Sequence, residues 1–259
     1  MQELDSVKID FSNQSIWILN IALAVIMFGV ALGIKVDDFK RLFKEPKPVV
    51  IGVFLQFVLL PLITFLLVLI IKPQPSIALG MMMVAACPGG NISNFMTHLA
   101  NGNSALSVSL TAIATFLAVF MTPFNFQFYG NLYEPTELLL KQVELNPFEL
   151  FKLVVLILGI PLIVGMLFRA KYETLALLIS KRLKPISILV FVVIVIIAFT
   201  KNLDVFKNYV HHVIGIGILH NLLAILLGFA VAKAFKLSFK NQKTLAIETG
   251  IQNGGLGLL

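Results

Sequence analysis

Long apolar stretches separated by short polar segments dominate the chain. Eight stretches can be distinguished, at about residues 14–34, 48–71, 75–99, 103–128, 147–168, 183–200, 210–235 and 242–259. Most of them reach the ~20 residues that an α-helix needs to cross ~30 Å of hydrocarbon. They are too long for barrel strands and lack the alternation of such strands. The pattern therefore predicts an all-α membrane protein, because a helix satisfies its backbone groups within one segment.

Two of the eight stretches are interrupted by residues that disfavour a continuous helix. The third contains Cys87–Gly90, with the sequence Cys-Pro-Gly-Gly, and the last is broken near 252–255. Proline removes a backbone donor and glycine tolerates unusual dihedral angles, so a helix can open at both places. Alone, the first break is equally well explained as a proline kink. Paired broken spans, however, are typical of the binding site of a secondary transporter.

Polar side chains follow or precede each break. Asn91, Ser93 and Asn94 come directly after the first, and Ser107 and Thr111 lie four residues apart on one helix face in the next span. Alone, Ser107 and Thr111 are more simply explained as contacts between helices. Together with the break just before them, they could complete a cation site.

Of the 13 acidic residues, Glu248 alone falls in the interior of a predicted span, because Glu149 lies at the edge of the stretch 147–168. A carboxylate at membrane depth is costly and by default marks an ion or substrate pathway. Its neighbours Thr249, Gln252 and Asn253 add hydroxyl and amide oxygens, which are the ligands that hard cations prefer. A bound Na⁺ or a proton would each offset the charge, so the residues alone leave sodium and proton open.

Composition supports a membrane location and excludes other classes. The chain has 259 residues, of which 58% are hydrophobic and only 13% charged, with a mean hydropathy of +0.95. The net charge is +7, but the basic residues lie between apolar stretches, as topology signals do, so we expect no nucleic-acid partner. The single cysteine, Cys87, cannot form an intrachain disulfide and has no neighbouring metal ligand.

Charge and spacing also predict the topology. With the N-terminus outside, 14 of the 20 basic residues lie on the inner side, as the positive-inside rule requires. The longest loop, about 129–146, separates a first repeat (1–129) from a second (147–259), each with four spans and one broken helix near its end. The two broken helices run in opposite directions, as in an inverted repeat. Because the chain stops at Leu259, we expect a C-terminal helix to be missing.

Two motifs resemble the signature of the bile acid:sodium symporter family. They are Cys87-Pro88-Gly89-Gly90-x-x-Ser93-Asn94 and Glu248-x-Gly250-x-Gln252-Asn253-x-Gly255-Leu256, with Phe28-Gly29 and Leu219-His220-Asn221 as agreeing flanks. The resemblance implies an inverted-repeat transporter with a core domain, a panel domain and two broken, crossing helices. It also implies two Na⁺ sites behind the crossing, which turns the choice between proton and sodium towards sodium.

The resemblance assigns ligands residue by residue. The first Na⁺ site is expected to consist of Ser93, Asn94, Ser107, Thr111 and Glu248. The second is expected to consist of Gln56, Glu248 and Gln252, with the backbone carbonyls of Thr249 and Ile251. The substrate would contact Asn91 and Asn253, with His220 and Asn221 as secondary candidates; from the residues alone, His220-Asn221 is more simply explained as a buried, hydrogen-bonded pair.

These observations predict a sodium-coupled symporter of an organic anion that works by alternating access in the cell (plasma or inner) membrane. The expected partners are the organic anion and membrane lipid; the oligomeric state is left open. The alternatives are an uncoupled channel or sensor of the same fold and, less favoured, an intramembrane enzyme. An enzyme would need a nucleophile with a base, or a second acid near Glu248.

Overall fold

Helices account for all the regular structure that the computed structural model describes. The described residues are 20–33 (except 23, 26 and 30), 46–142, 152, 155–201 and 203–253. Their helices are α1 (Pro46–Phe54), α2 (Leu60–Ile71), α3 (Pro75–Ala86), α4 (Asn91–Leu99), α5 (Ser104–Leu132), α6 (Glu134–Gln142), α7 (Ile160–Lys171), α8 (Glu173–Lys201), α9 (Leu203–Ala234) and α10 (Phe239–Gly250). Further helical residues lie between 20 and 31.

Three described helices are long and apolar enough to cross a membrane: Pro46–Ile71, Ser104–Leu132 and Val213–Ala234 within α9. They correspond to three of the eight predicted spans, and the expected all-α architecture is confirmed. Their burial differs sharply. In its most apolar window, α5 has 67% of its residues buried, whereas α9 has only 17%. Thus α5 lies at the centre of the helices, and α9 lies at their periphery.

One turn of the first long helix is widened at a proline. The residues Leu55–Leu59 form a π-helical turn between α1 and α2, and Pro61 follows it. Proline cannot donate to the carbonyl four residues earlier, which is that of Phe57. The side-chain Nδ2 of Asn125 in α5 donates to that carbonyl at 2.9 Å. The cost of the proline is therefore offset by a hydrogen bond from the central helix.

Close packing brings α1, α5 and α10 together beside this turn. Their buried apolar side chains form one cluster that includes Val49, Leu55, Leu106, Leu110 and Leu245. At Gly52, an added Cβ would lie 2.5 Å from Leu110 Cδ2 and 3.0 Å from Leu245 Cδ2. A larger residue there would push these leucine side chains aside, so glycine lets the backbone of α1 approach both partner helices closely.

Two predicted loops contain helix. The segment 129–146 was expected to be a loop, but α5 continues to Leu132 and α6 occupies Glu134–Gln142. Similarly, the segment between the predicted spans 147–168 and 183–200 is occupied by the end of α7 and the start of α8. The physical reason is that Glu, Lys and Leu are good helix formers whether or not they are in lipid. Most of the segment between the predicted spans 14–34 and 48–71 lies outside the described residues, which resume at residue 46.

Candidate functional site

Two unwound segments cross at the centre of the site. The first is Cys87–Gly90, between α3 and α4, and the second is Ile251–Asn253, after α10. They pair as an antiparallel bridge between Gly89 and Gln252. Asn253 N donates to Pro88 O at 2.8 Å, and Gly90 N donates to Ile251 O at 3.4 Å. The two predicted breaks are therefore in direct contact.

Side chains from neighbouring helices bind the carbonyls that the first break leaves free. In a continuous helix, Ala86 O and Cys87 O would accept from residues 90 and 91. Instead, Thr122 Oγ1 donates to Ala86 O at 2.8 Å, and Gln56 Nε2 donates to Cys87 O at 2.7 Å. The unwound backbone is thus held by defined hydrogen bonds from the buried side chains of Thr122 and Gln56.

The carboxylate of Glu248 lies beside this crossing and is 5% exposed. Ser93 Oγ donates to Glu248 Oε1 at 2.8 Å, and Ser107 Oγ donates to the same oxygen. Thr111 Oγ1 donates to Glu248 Oε2 at 3.2 Å. These three hydroxyls come from α4 and α5 and converge on a carboxylate of α10, so that three helices supply the polar groups.

Asn94 completes the group through its amide oxygen. Its Oδ1 lies 2.7 Å from Ser107 Oγ and 3.2 Å from Thr111 Oγ1. Each hydroxyl has one proton, so it donates either to Asn94 or to Glu248 at a given moment. All five residues expected at the first cation site are therefore brought together. Within the described part of the chain, no Lys or Arg makes an ion pair with Glu248. A buried carboxylate without a basic partner needs either a cation or a proton to offset its charge.

The residues expected at the second cation site also meet. Gln56 Nε2 donates to Gln252 Oε1 at 2.8 Å, and Gln252 Nε2 donates to Thr249 O at 2.6 Å. Gln56, Glu248 and Thr249 line one side of a cavity of about 10 Å³ whose other walls include Val53 and Leu110. That volume is about the size that holds one water molecule.

Gly89 touches the carboxylate directly. A Cβ at this position would lie 2.7 Å from Glu248 Oε2 and 3.2 Å from Glu248 O. Such contacts are shorter than van der Waals distance, so any larger residue would displace the carboxylate. The second glycine of the motif is different, because a Cβ on Gly90 would lie 3.5 Å from its nearest neighbour, Asn253 Cα.

Two of the four residues expected to contact substrate, His220 and Asn221, have protein partners outside the carboxylate cluster. His220 is buried, with its Nε2 2.8 Å from Thr64 Oγ1. Asn221 Nδ2 donates to Gly250 O at 2.6 Å. Asn91 begins α4, and its side chain is outside the described part of the structure. His220 and Asn221 are each hydrogen-bonded, but to other elements rather than to each other.

Three contacts of this site were not anticipated from the sequence: those of Thr122 with Ala86, Asn125 with Phe57 and Asn221 with Gly250. Each involves a polar side chain in an otherwise apolar helix, which is a signal that a partner exists. The sequence does not identify the carbonyl that accepts each hydrogen bond.

Known proteins resemble this chain over most of its length. The sodium bile acid symporter family matches residues 20–209. A Bacillus subtilis protein described as an uncharacterized sodium-dependent transporter, YocS, is 35% identical over 239 residues, or 92% of this chain and 72% of its own length. Sodium/bile acid cotransporter 4 of Mus musculus is 30% identical over 234 residues, which cover 90% of this chain and 52% of that protein.

A plant relative extends the range of the family. The probable chloroplastic sodium/metabolite cotransporter BASS1 of Arabidopsis thaliana is 27% identical over 240 residues, which are 92% of this chain and 57% of its own length. This chain thus spans little more than half the length of the plant and mouse relatives. The family and these relatives are sodium-dependent transporters rather than enzymes. On the extent of these matches, the chain belongs to the sodium bile acid symporter family.

Proposed function

We propose that this protein is a secondary active symporter in which Na⁺ moving down its gradient drives uptake of an organic anion. The observation that carries the proposal is the convergence of Ser93, Ser107 and Thr111 on the buried Glu248. One carboxylate with hydroxyl and amide oxygens suits a hard monovalent cation. Within the described residues, no group of three His, Cys, Asp or Glu side chains could hold a metal ion, so the donor set does not suit a transition metal.

The first Na⁺ is assigned to Ser93, Asn94, Ser107, Thr111 and Glu248. A hydroxyl that donates to the carboxylate retains lone pairs that can face a cation. The cation would therefore neutralise Glu248 without breaking the bonds that hold α4, α5 and α10 together. On this basis, Na⁺ binding stabilises one arrangement of the three helices.

The second Na⁺ is assigned to the cavity beside Gln56. Its ligands are the side chains of Gln56, Glu248 and Gln252, with the carbonyls of Thr249 and Ile251. Two of these oxygens already accept hydrogen bonds, at Thr249 O from Gln252 and at Ile251 O from Gly90. Each carbonyl keeps a second lone pair, so both oxygens can face the ion while these hydrogen bonds are kept.

The transported molecule is proposed to be an organic anion of the metabolite or bile-acid class, as the names of the relatives suggest. It would bind near Asn91 and Asn253, beside the N-terminus of α4, where the first turn of a helix leaves backbone amides without helical acceptors. His220 and Asn221 remain candidates on the family resemblance alone, because both side chains already have protein partners. The anion would be released by alternating access, with core and panel domains of two inverted repeats rocking about the crossing.

We further propose that the protein lies in the cell membrane with its N-terminus outside. The distribution of Lys and Arg between the predicted spans supports this orientation. Lys240 and Lys243 would then lie on the cytoplasmic side, and Na⁺ moving down its gradient would leave the protein on that side. Both residues lie near the start of α10.

The deciding experiment is a thermal-shift screen of organic anions in NaCl and in choline chloride. For a coupled symporter, the true substrate raises the melting temperature more in Na⁺ than in choline, and Na⁺ affinity rises equally when the substrate is present. An uncoupled channel or sensor would give no such reciprocity. Absence of any Na⁺-specific shift, with or without anions, would contradict the proposal.

A further inference from the structure

Polar residues continue from the Glu248 cluster towards one end of three helices. Four residues beyond Ser93 in α4 lies Thr97, and four residues before Glu248 in α10 lies Thr244. Asn103, which caps α5, stands four residues before Ser107. Residues four apart share a helix face. Since α4 runs away from the crossing and α5 and α10 run towards it, all three residues form a second layer at the same end.

The second layer is buried and closely packed. Thr97 and Thr244 are both 0% exposed. Asn103 N donates to Thr244 Oγ1 at 2.8 Å. Gly102 lies between the two threonines, because a Cβ there would be 2.8 Å from Thr97 Cγ2 and 2.9 Å from Thr244 Oγ1.

One polar atom of this layer is unused. Thr97 Oγ1 is buried and has no hydrogen-bond partner among the described residues. A buried hydroxyl left without a partner is costly and uncommon in folded proteins. An oxygen of this kind, one helical turn from a cation site, is suited to a passing cation.

The Glu248 cluster and the second layer of Thr97, Asn103 and Thr244 together form a column of polar groups. A set of contacts closes its outer end. Lys243 Nζ donates to Ala100 O, and Asn103 Nδ2 donates to Asn241 Oδ1 at 2.8 Å. We call the contacts of the loop Ala100–Asn103 with α10 the loop latch. Asn241 is seven residues from Glu248, or about 10 Å along α10 at the usual helical rise. The latch is therefore the last barrier before the end of the helix.

We propose that this column is the route by which Na⁺ passes between the Glu248 cluster and the side of the membrane that holds Lys243, with Thr97 as a transient ligand and the loop latch as its gate. The inference rests on the proposed function, since it presumes that Na⁺ occupies the Glu248 cluster. Hydroxyl and amide oxygens replace part of the hydration shell along the route. While the latch is closed, the charge of Lys243 repels a cation at the mouth.

The route is tested with Ag⁺, a monovalent cation that replaces the proton of a thiol to give S–Ag and H⁺. The chain carrying Thr97→Cys is reconstituted in liposomes, treated with silver nitrate, and its remaining free thiol is counted with a maleimide after denaturation. The unaltered chain, with its single buried Cys87, gives the background. The matched control is Phe95→Cys, on the same helix at a side chain that is 58% exposed.

Na⁺ is expected to slow the reaction at position 97 by about tenfold when its concentration is ten times its Kd, because a bound ion one turn away repels Ag⁺ and holds the helices together. The Phe95→Cys rate should not depend on Na⁺. Adding Lys243→Ala to Thr97→Cys should raise the rate about tenfold by opening the latch. Equal rates with Na⁺ and choline, or no reaction in either, would overturn the route.

The melting temperature separates this failure from failure of the proposed function. If Na⁺ raises the melting temperature of the Thr97→Cys chain but does not change the rate of its reaction with Ag⁺, only the route is wrong. If Na⁺ raises it in neither chain, the function fails and the route with it. Should Thr97→Cys not fold, Thr97→Val and Thr97→Ser provide the test. Valine should slow release of radioactive Na⁺ several-fold at unchanged Na⁺ affinity, and serine should not; equal release rates would contradict the route.

Discussion

The two breaks are alike as backbone structures but differ in charge. The bridge pairs Gly89 with Gln252, so Cys87 corresponds to Gly250. Each of these two carbonyls accepts a side-chain amide from the long helix before it: Cys87 O from Gln56 at 2.7 Å and Gly250 O from Asn221 at 2.6 Å. In the same correspondence, the place of Glu248 in the second broken helix is taken by a buried alanine, Ala85, in the first.

This difference separates the scaffold, which is the set of hydrogen bonds that hold the breaks, from the chemistry, which is the set of groups proposed to bind the cation. Both breaks need an amide to satisfy a freed carbonyl, because neither lies in water. Only the second break supplies a carboxylate, and only the first is followed by Ser93 and Asn94. The proposed cation site therefore lies where the two segments meet. The charge comes from the second broken helix, two neutral ligands, Ser93 and Asn94, follow the first break, and α5 supplies Ser107 and Thr111. Substitutions at the charge, the crossing and the scaffold should have effects of decreasing size.

The largest effect is expected at the charge itself. Glu248→Gln keeps the size of the side chain but removes the negative charge, and should lower Na⁺ affinity roughly 100-fold or more, as loss of a buried charge partner does. Because the buried charge is costly without a cation, the same variant should melt at a higher temperature than the unaltered chain in the absence of Na⁺. Na⁺ titration by calorimetry and thermal shift measure both.

Glu173→Gln is the control for this experiment, since Glu173 is 66% exposed and pairs with Arg169 at 3.3 Å. It should leave Na⁺ affinity unchanged. Intact Na⁺-dependent uptake in Glu248→Gln would show that the second break does not carry the coupling charge.

The crossing is tested by two neighbouring glycines. Gly89→Ala places a Cβ 2.7 Å from Glu248 Oε2, whereas Gly90→Ala makes only ordinary contacts. We expect Gly89→Ala to cost about 1–3 kcal/mol, the usual range for overpacking, and to weaken Na⁺ binding by displacing the carboxylate. Gly90→Ala should be close to neutral. Similar Na⁺ titrations for the two variants would show that the close approach of Gly89 is unimportant.

The side-chain amides of Gln56 and Asn221 allow the two breaks to be compared, because each donates to the corresponding carbonyl of one break. Gln56→Leu and Asn221→Leu should each destabilise the protein by ~1–3 kcal/mol, because each leaves a carbonyl without its donor. Only Gln56→Leu should also reduce the steepness of the Na⁺ dependence of uptake, since Gln56 contacts Gln252 and is assigned to the second Na⁺. An equal loss of steepness in Asn221→Leu would mean that the second break also binds an ion through its amide.

How far the sequence predicts this arrangement depends on the kind of signal. Both breaks were predictable, because Pro88 lacks a donor and because glycine and amide residues interrupt the last span. Ser93, Ser107 and Thr111 could be placed on suitable helix faces, but their contact with Glu248 was expected only from the family resemblance. The partners of Thr122 and Asn125 were not predictable, because they depend on how α5 is rotated against carbonyls more than 30 residues away.

The helices within the predicted loops show a complementary limit. Charge patterns predict which segments lie outside the hydrocarbon, and α6 is indeed polar enough to do so, with Glu134 and Glu137 in its first turn. Being outside lipid does not prevent a helix, since these residue types favour one in water as well. Span prediction and helix prediction therefore diverge at the ends of membrane segments.

The smallest effect is expected at a hydroxyl that supports only the first break. Thr122→Val removes the donor to Ala86 O while keeping the shape of the side chain, and should cost about 1 kcal/mol, or a fall of about 2–4 °C in melting temperature. Ser109→Ala, which loses a bond within α5 itself, is the control and should cost less. Neither hydroxyl touches Glu248, so Na⁺ affinity should stay constant in both. If Na⁺ affinity fell in Thr122→Val as it should in Gly89→Ala, the backbone of the first break would be part of the ion site, and scaffold and chemistry would not be separable there.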